Sequence, residues 1–112
     1  MNAFDRYAPF VQEYIYRNHW ENLRAIQVAA ADAIFRTELE ADRQSKRLYQ
    51  YYAMLADAPF AEGYAIILRA IQLNDGVNCV ASRPPYDLLE RIAQRIRDTQ
   101  PRVASVQYDL TP

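Results

Sequence analysis

Residues 64–73 read Tyr-Ala-Ile-Ile-Leu-Arg-Ala-Ile-Gln-Leu, and their conformation decides the class of the whole chain. Tyr64, Ile67, Leu68 and Ile71 recur at the spacing of one helix face. The same stretch also reads as a buried strand, with Ile66 and Leu68 set against Ile67 and Arg69. Ten residues are too few for periodicity to arbitrate. A strand here makes the protein α+β, and a helix makes it all-α. The punctuation that follows is clearer: Asn74-Asp75-Gly76 is a turn signal, because Gly76 takes positive φ without steric cost.

Downstream the pattern is firm. Pro84-Pro85 pre-sets a first helical turn, and Asp87 and Glu90 sit where the helix dipole favours anions. Leu88, Leu89, Ile92 and Ile96 form the buried stripe of a helix over 85–99, with Arg91, Arg95 and Asp98 facing out. Pro101 stops it. Val103 to Tyr108 alternates as a short strand.

Upstream, Tyr7, Phe10, Val11, Tyr14 and Ile15 predict a short amphipathic helix over Pro9–Asn18, with Asn22 as N-cap of the next. Leu23, Ile26, Ala30, Ala33 and Ile34 give that second helix its apolar stripe. The charge run from Arg36 to Arg47 reads as a solvated helical face or, alternatively, a recognition surface. Leu48, Tyr51, Tyr52 and Leu55 restore a helical stripe up to Ala58-Pro59. One long helix or two fit 23–56 equally well.

Composition narrows the function classes. Thirteen Lys and Arg against fourteen Asp and Glu give a net charge of −1, which argues against general affinity for nucleic acid. One Cys excludes an internal disulfide, and one His with one Cys leaves no ordinary zinc cluster. No secretory leader and no apolar run of membrane-spanning length is legible, so a cytoplasmic protein without a membrane association is expected. No metal or cofactor is expected. Cys79 reads as a buried, inert thiol in a turn region. His19 beside Trp20 reads as a helix-end histidine next to a core tryptophan. The nine tyrosines divide between packing and interface roles. Asp87 and Glu90 are explained by capping, and no catalytic set is legible, so no enzyme activity is expected.

Tyr64, Leu68-Arg69-Ala70, Asp75, Arg83, Pro85-Tyr86-Asp87-Leu88-Leu89-Glu90-Arg91-Ile92, Arg95-Ile96, Pro101, Val103, Val106, Tyr108-Asp109 and Thr111 carry a gapless resemblance. Over residues 64–111 the chain resembles the C-terminal dimerisation domain of GMP synthetase. The resemblance implies that 64–73 is a strand and that the domain self-associates. Asn78-Cys79-Val80-Ala81 stands where that family usually has Thr-Ala-Asp-Trp. The family's Lys-Pro-Pro tail, which helps hold the nucleotide substrate, has no counterpart before Pro112, and its two catalytic domains have none either. The resemblance therefore implies a scaffold and a dimerisation habit but no reaction.

A second, weaker resemblance covers residues 4–35. Pro9-Phe10-Val11-Gln12-Glu13-Tyr14-Ile15, Trp20 and Leu23-Arg24-Ala25-Ile26-Gln27 resemble the Q-motif region of DEAD/DEAH-box helicases. It implies Gln27 reading an adenine edge with Phe10 stacked on the base. Ala25 replaces the usual Pro, no phosphate loop follows, and Lys46 is the only lysine, so helicase activity is excluded.

The expected architecture is one α+β domain over 1–112. A helical part, 1–58, packs on a small sheet of 64–73 and 103–109, within a strand-helix-strand part, 59–112. An all-α fold is the alternative. Two strands alone leave exposed edges, which a second copy would cover. The expected function is a non-catalytic homodimerisation or protein-interaction module, with Tyr64, Leu68, Tyr86 and Tyr108 as candidate interface residues. The alternatives are an adenine-nucleotide-binding accessory using Phe10 and Gln27, and a small helical subunit of a nucleoprotein complex.

Overall fold

The computed structural model describes the backbone of residues 8–57 and 62–112 and the side chains of residues 24–57 and 62–112. In chain order the elements are α1 (Ala8–Ala41), a 3-10 turn (Gln44–Arg47), β1 (Gln50–Asp57), β2 (Tyr64–Asn74), β3 (Asn78–Ala81), α2 (Tyr86–Thr99) and β4 (Val103–Tyr108). The fold is α+β, and the strand reading of 64–73 holds.

β2 is the hub of a mixed four-stranded sheet. β1 pairs antiparallel along it from Gln50↔Ile71 to Asp57↔Tyr64. The other side of β2 is shared: β4 runs parallel to its first half, Tyr64↔Val103 to Leu68↔Tyr108, and β3 antiparallel to its end, Ile71↔Ala81 to Asn74↔Asn78. The Asn74-Asp75-Gly76 turn closes the β2–β3 hairpin, with Gly76 at φ 79°. Asp75 stabilises it by accepting from the backbone N–H groups of Val77 and Asn78 at 3.2 Å, and those bonds hold its carboxyl below the usual range.

Three upstream expectations are corrected. The two helices expected over 9–18 and from Asn22 are one helix of 34 residues. No Gly or Pro occurs from Phe10 to Asp57, and Asn or His costs an α-helix well under ~1 kcal/mol, so nothing interrupts it. Asn22 is therefore internal rather than a cap. Residues 50–57, expected as helix, form a strand. Leu48, Tyr51, Tyr52 and Leu55 fit a helical spacing, yet Tyr51, Ala53 and Leu55 equally fit alternation, and eight paired positions on β2 favour the strand. The expected helical part, 1–58, accordingly ends early. The buried stripe of α1 is also displaced. Ala31, Ile34, Phe35 and Leu39 are buried, whereas Ala30 and Ala33 are exposed and Ile26 is 64% exposed.

Both helices lie on one face of the sheet and touch each other. Between them and the sheet lies the core: Phe35 and Leu39 of α1, Ile92 and Ile96 of α2, and Ile66 and Leu68 of β2, all at most 1% exposed. Two polar ties lock the helices. Glu38 accepts from Arg91 Nε at 3.2 Å and Arg95 Nη1 at 3.0 Å, so these two arginines are bound to α1 rather than simply facing out. Gln100 is buried at the end of α2. With its amide nitrogen toward α1 it donates to the carbonyl of Gln27 at 2.8 Å, and its oxygen accepts from the Ala31 N–H at 3.1 Å.

The same helix guards the open edge of β1. Asp32 Oδ1 accepts the Ala53 N–H at 2.9 Å, and Oδ2 accepts from Arg36 Nε at 2.7 Å. The Arg36 guanidinium sits 4.7 Å from the Tyr51 ring centroid, and the Tyr51 hydroxyl donates to Glu40 at 3.0 Å. With one of its outward N–H groups engaged and Tyr51 held against α1, the edge is less available for pairing with another chain. Much of the charge run from Arg36 to Glu40 is therefore structural rather than a solvated face.

Candidate functional site

The candidate residues scatter. Tyr64 and Leu68 are 8% and 1% exposed, inside this chain's own packing, with the Arg24 guanidinium 5.2 Å from the Tyr64 ring centroid. Tyr86 stands at the start of α2, 77% exposed. Tyr108 is half-buried, and its hydroxyl donates to the carbonyl of Ser82 at 2.6 Å. Phe10, His19 and Trp20 have side chains outside the described residues. Gln27 is half-buried with its Oε1 shielded from solvent and without a hydrogen bond. Cys79, expected buried in a turn, is exposed and sits in β3. Asp87 lies in the first turn of α2, where no side chain caps the helix. Among the described residues no group of three or more His, Cys, Asp and Glu could hold a metal, and no helix is long and apolar enough to cross a membrane.

Burial of Tyr108 makes its ionisation costly. Loss of solvation, with a smaller contribution from the Asp109 charge, pushes the phenol from 10.0 up to about 12. The raised value means the fold keeps this contribution below pH 10, where the phenol is protonated folded or unfolded. It loses the contribution as pH climbs toward about 12. Tyr108→Phe is expected to cost about 1 kcal/mol at neutral pH, from the lost bond to Ser82, and to flatten the fall in stability above pH 10. Denaturant midpoints at neutral pH and across that range measure both; parallel alkaline profiles for the two proteins would refute the assignment.

The sheet has a second face. Alternation along β2 sends Ile66, Leu68 and Ala70 into the core, so Ala65, Ile67, Arg69, Ile71 and Leu73 point the other way. Register places Met54 of β1 beside Ile67, and Tyr52 beside Arg69. On the β4 side Ser105 and Gln107 pair with Ala65 and Ile67. Among the described residues no layer covers this face. Leu73 is 41% exposed and Met54 and Ile67 are half-buried, while Ala65 and Ile71 are buried. Arg69 stands in the middle of it. Its Nη1 lies 3.9 Å from Asp109 Oδ2, and its buried Nε has no hydrogen-bond partner. Asp109 is held below the usual carboxylate range by the Thr111 hydroxyl first, then the Thr111 N–H, and by Arg69. An apolar face carrying a shielded, unsatisfied donor suits contact with another surface better than contact with water.

Sequence reasoning missed this face because residues 65, 67, 69 and 71 become one side of a sheet only once β1 is recognised as a strand. It also missed Asp32 and Glu38. The i,i+4 spacing of Asp32 and Arg36 was the available signal for the first. Glu38 gave none, since its partners lie 53 and 57 residues away.

Comparison with known proteins places the chain. A family model described as the GMP synthase C terminal domain matches residues 37–112, which takes in β1 and begins well before the 64–111 resemblance. The glutamine-hydrolyzing GMP synthase of Aeropyrum pernix is 36% identical over 99 residues, covering 81% of this chain and 19% of that protein. That of Caldicellulosiruptor saccharolyticus is 36% identical over 88 residues, covering 71% and 17%. That of Thermomicrobium roseum is 37% identical over 92 residues, covering 75% and 18%. The chain thus spans less than a fifth of the length of these relatives. An alignment over 81% of 112 residues leaves about 21 outside it, so Gln27 falls within a stretch that aligns with a GMP synthase. On the family match and the identities together, the chain belongs to the GMP synthase C terminal domain family.

Proposed function

We propose that this chain is a non-catalytic homodimerisation module, and that two copies join through the second face of the sheet. The observation that carries the reading is that face itself: Met54, Ile67 and Leu73 around Arg69, with both helices on the opposite side. Family membership supports it, because the domain is part of GMP synthases. The partly guarded edge of β1 supports it too, since it makes edge pairing less favourable there than packing face to face. In this reading the reaction belongs to other parts of such an enzyme, and the chain supplies the geometry that brings two copies together. A cytoplasmic setting, where an exposed lone thiol stays reduced, is part of the same reading.

The experiment is light scattering after size exclusion over a hundredfold concentration range. The expected mass is roughly 26 kDa, twice the 13.0 kDa of one chain. Ile67→Asp buries a carboxylate in the proposed contact and should shift the protein to monomer with its circular dichroism unchanged. Exposed Ile26 is on the helical side, and Ile26→Asp should leave the dimer intact. A wild-type monomer at every concentration, or a dimer indifferent to Ile67→Asp, would remove the reading.

A further inference from the structure

Eight of the ten arginines among the described residues, all but Arg97 and Arg102, fall into two groups. Arg24, Arg36, Arg69, Arg91 and Arg95 lie against carboxylates. Arg43, Arg47 and Arg83 have no acidic or hydrogen-bonding partner among the described residues, and all three line one open groove of about 1070 Å³. Arg43 and Arg47 come from the turn after α1, while Arg83 comes from the segment leading into α2. Among the described residues Asp42 is the one acidic residue in the lining, and its Oδ2 is already engaged by the Gln44 amide at 3.1 Å. Positive charge is therefore concentrated there on a chain whose net charge is −1.

Arg43 holds this position against a backbone cost. It sits at φ 60° and ψ 15°, in the left-handed region where a helix end ordinarily takes Gly or Asn. A side chain kept where glycine fits better invites a functional reading of what that side chain does.

The chemistry of the lining narrows the ligand. Guanidinium groups present forked donors that match phosphoryl oxygens. Among the described residues no aromatic side chain lines the groove, which favours a ligand without a stacked base. Nucleic acid would need a longer basic track than three residues on a slightly acidic chain. We propose that the groove binds a compact oligophosphate, free or as the phosphate chain of a small molecule, through Arg43, Arg47 and Arg83.

Titration calorimetry of the intact chain with inorganic triphosphate and with ATP, at low salt, tests this. One site per chain is expected, weakening as salt is added. Arg47→Gln and Arg83→Gln should each weaken binding about tenfold, while Arg97→Gln, on exposed α2 surface outside the groove, should not. Arg43→Gly should weaken binding and raise the thermal midpoint, a combination that a general loss of folding cannot produce. Equal affinity for the two probes assigns the groove to free oligophosphate. Tighter ATP binding that still falls in Arg83→Gln assigns it to a phosphate chain with an organic group attached. No heat up to about 1 mM of either probe, or groove variants that bind like Arg97→Gln, would overturn the proposal.

Discussion

Gly63→Ala is expected to destabilise the protein by about 3 kcal/mol or more, well beyond the same change at Gly76. Gly63 has φ 102°, a conformation that L-residues rarely adopt. A Cβ built there would overlap the carbonyl oxygen of Arg102, which is backbone and cannot rotate away. That carbonyl accepts the Tyr64 N–H at 2.9 Å, the bond that begins the parallel β2–β4 pairing. The methyl must therefore push apart two strands at the point where their register is set. Gly76 supplies the control. It too has positive φ, at 79°, but an added Cβ meets nothing within 4 Å. Gly76→Ala should cost only the backbone term, about 1 kcal/mol. Urea midpoints for the two variants measure the difference, and equal losses would show that the contact with Arg102 carries no weight.

The parts of the fold that were legible in the sequence are those fixed locally. The 85–99 helix has prolines at both borders and an unambiguous stripe, and the Asn74-Asp75-Gly76 turn has a residue suited to each position. The strand at 103–108 alternates without competition. What was not legible depends on partners distant in the chain. Residues 50–57 carry patterns for both helix and strand, and only β2, arriving some fifteen residues later, selects the strand. Residues 64–73 were ambiguous for the same reason, and a family resemblance rather than periodicity resolved them. The candidate site inherits this difficulty. Whether Ile67 or Leu68 faces outward follows from which side the helices cover, and that is set by Phe35, Ile92 and Ile96 together. Tyr64 and Leu68, expected from sequence as interface residues, are buried within this chain.

The displaced stripe of α1 makes the last expectation quantitative. Reading apolar residues along the helix selects Leu23, Ile26, Ala30, Ala33 and Ile34 by their spacing. The structure buries Ile34 as expected, but with Ala31, Phe35 and Leu39 rather than Ile26, Ala30 and Ala33, and on this rotation Asp32 and Glu38 become ties to β1 and α2. Small alanines carry little directional information, so spacing alone could not choose between the two neighbouring faces. Phe35 is fully buried against both helices' apolar faces and β2, whereas Ile26 is 64% exposed. Phe35→Ala should cost about 3–5 kcal/mol, since it removes a large ring from a site walled by two elements that cannot collapse inward together. That corresponds to a fall in thermal midpoint on the order of 15 °C for a domain of this size. Ile26→Ala should stay within about 0.5 kcal/mol of wild type. Guanidinium unfolding of the two variants separates the alternatives. A larger loss for Ile26→Ala than for Phe35→Ala would put the helix on the sheet by its other face, and with it would fall the Glu38 and Asp32 ties that depend on this rotation.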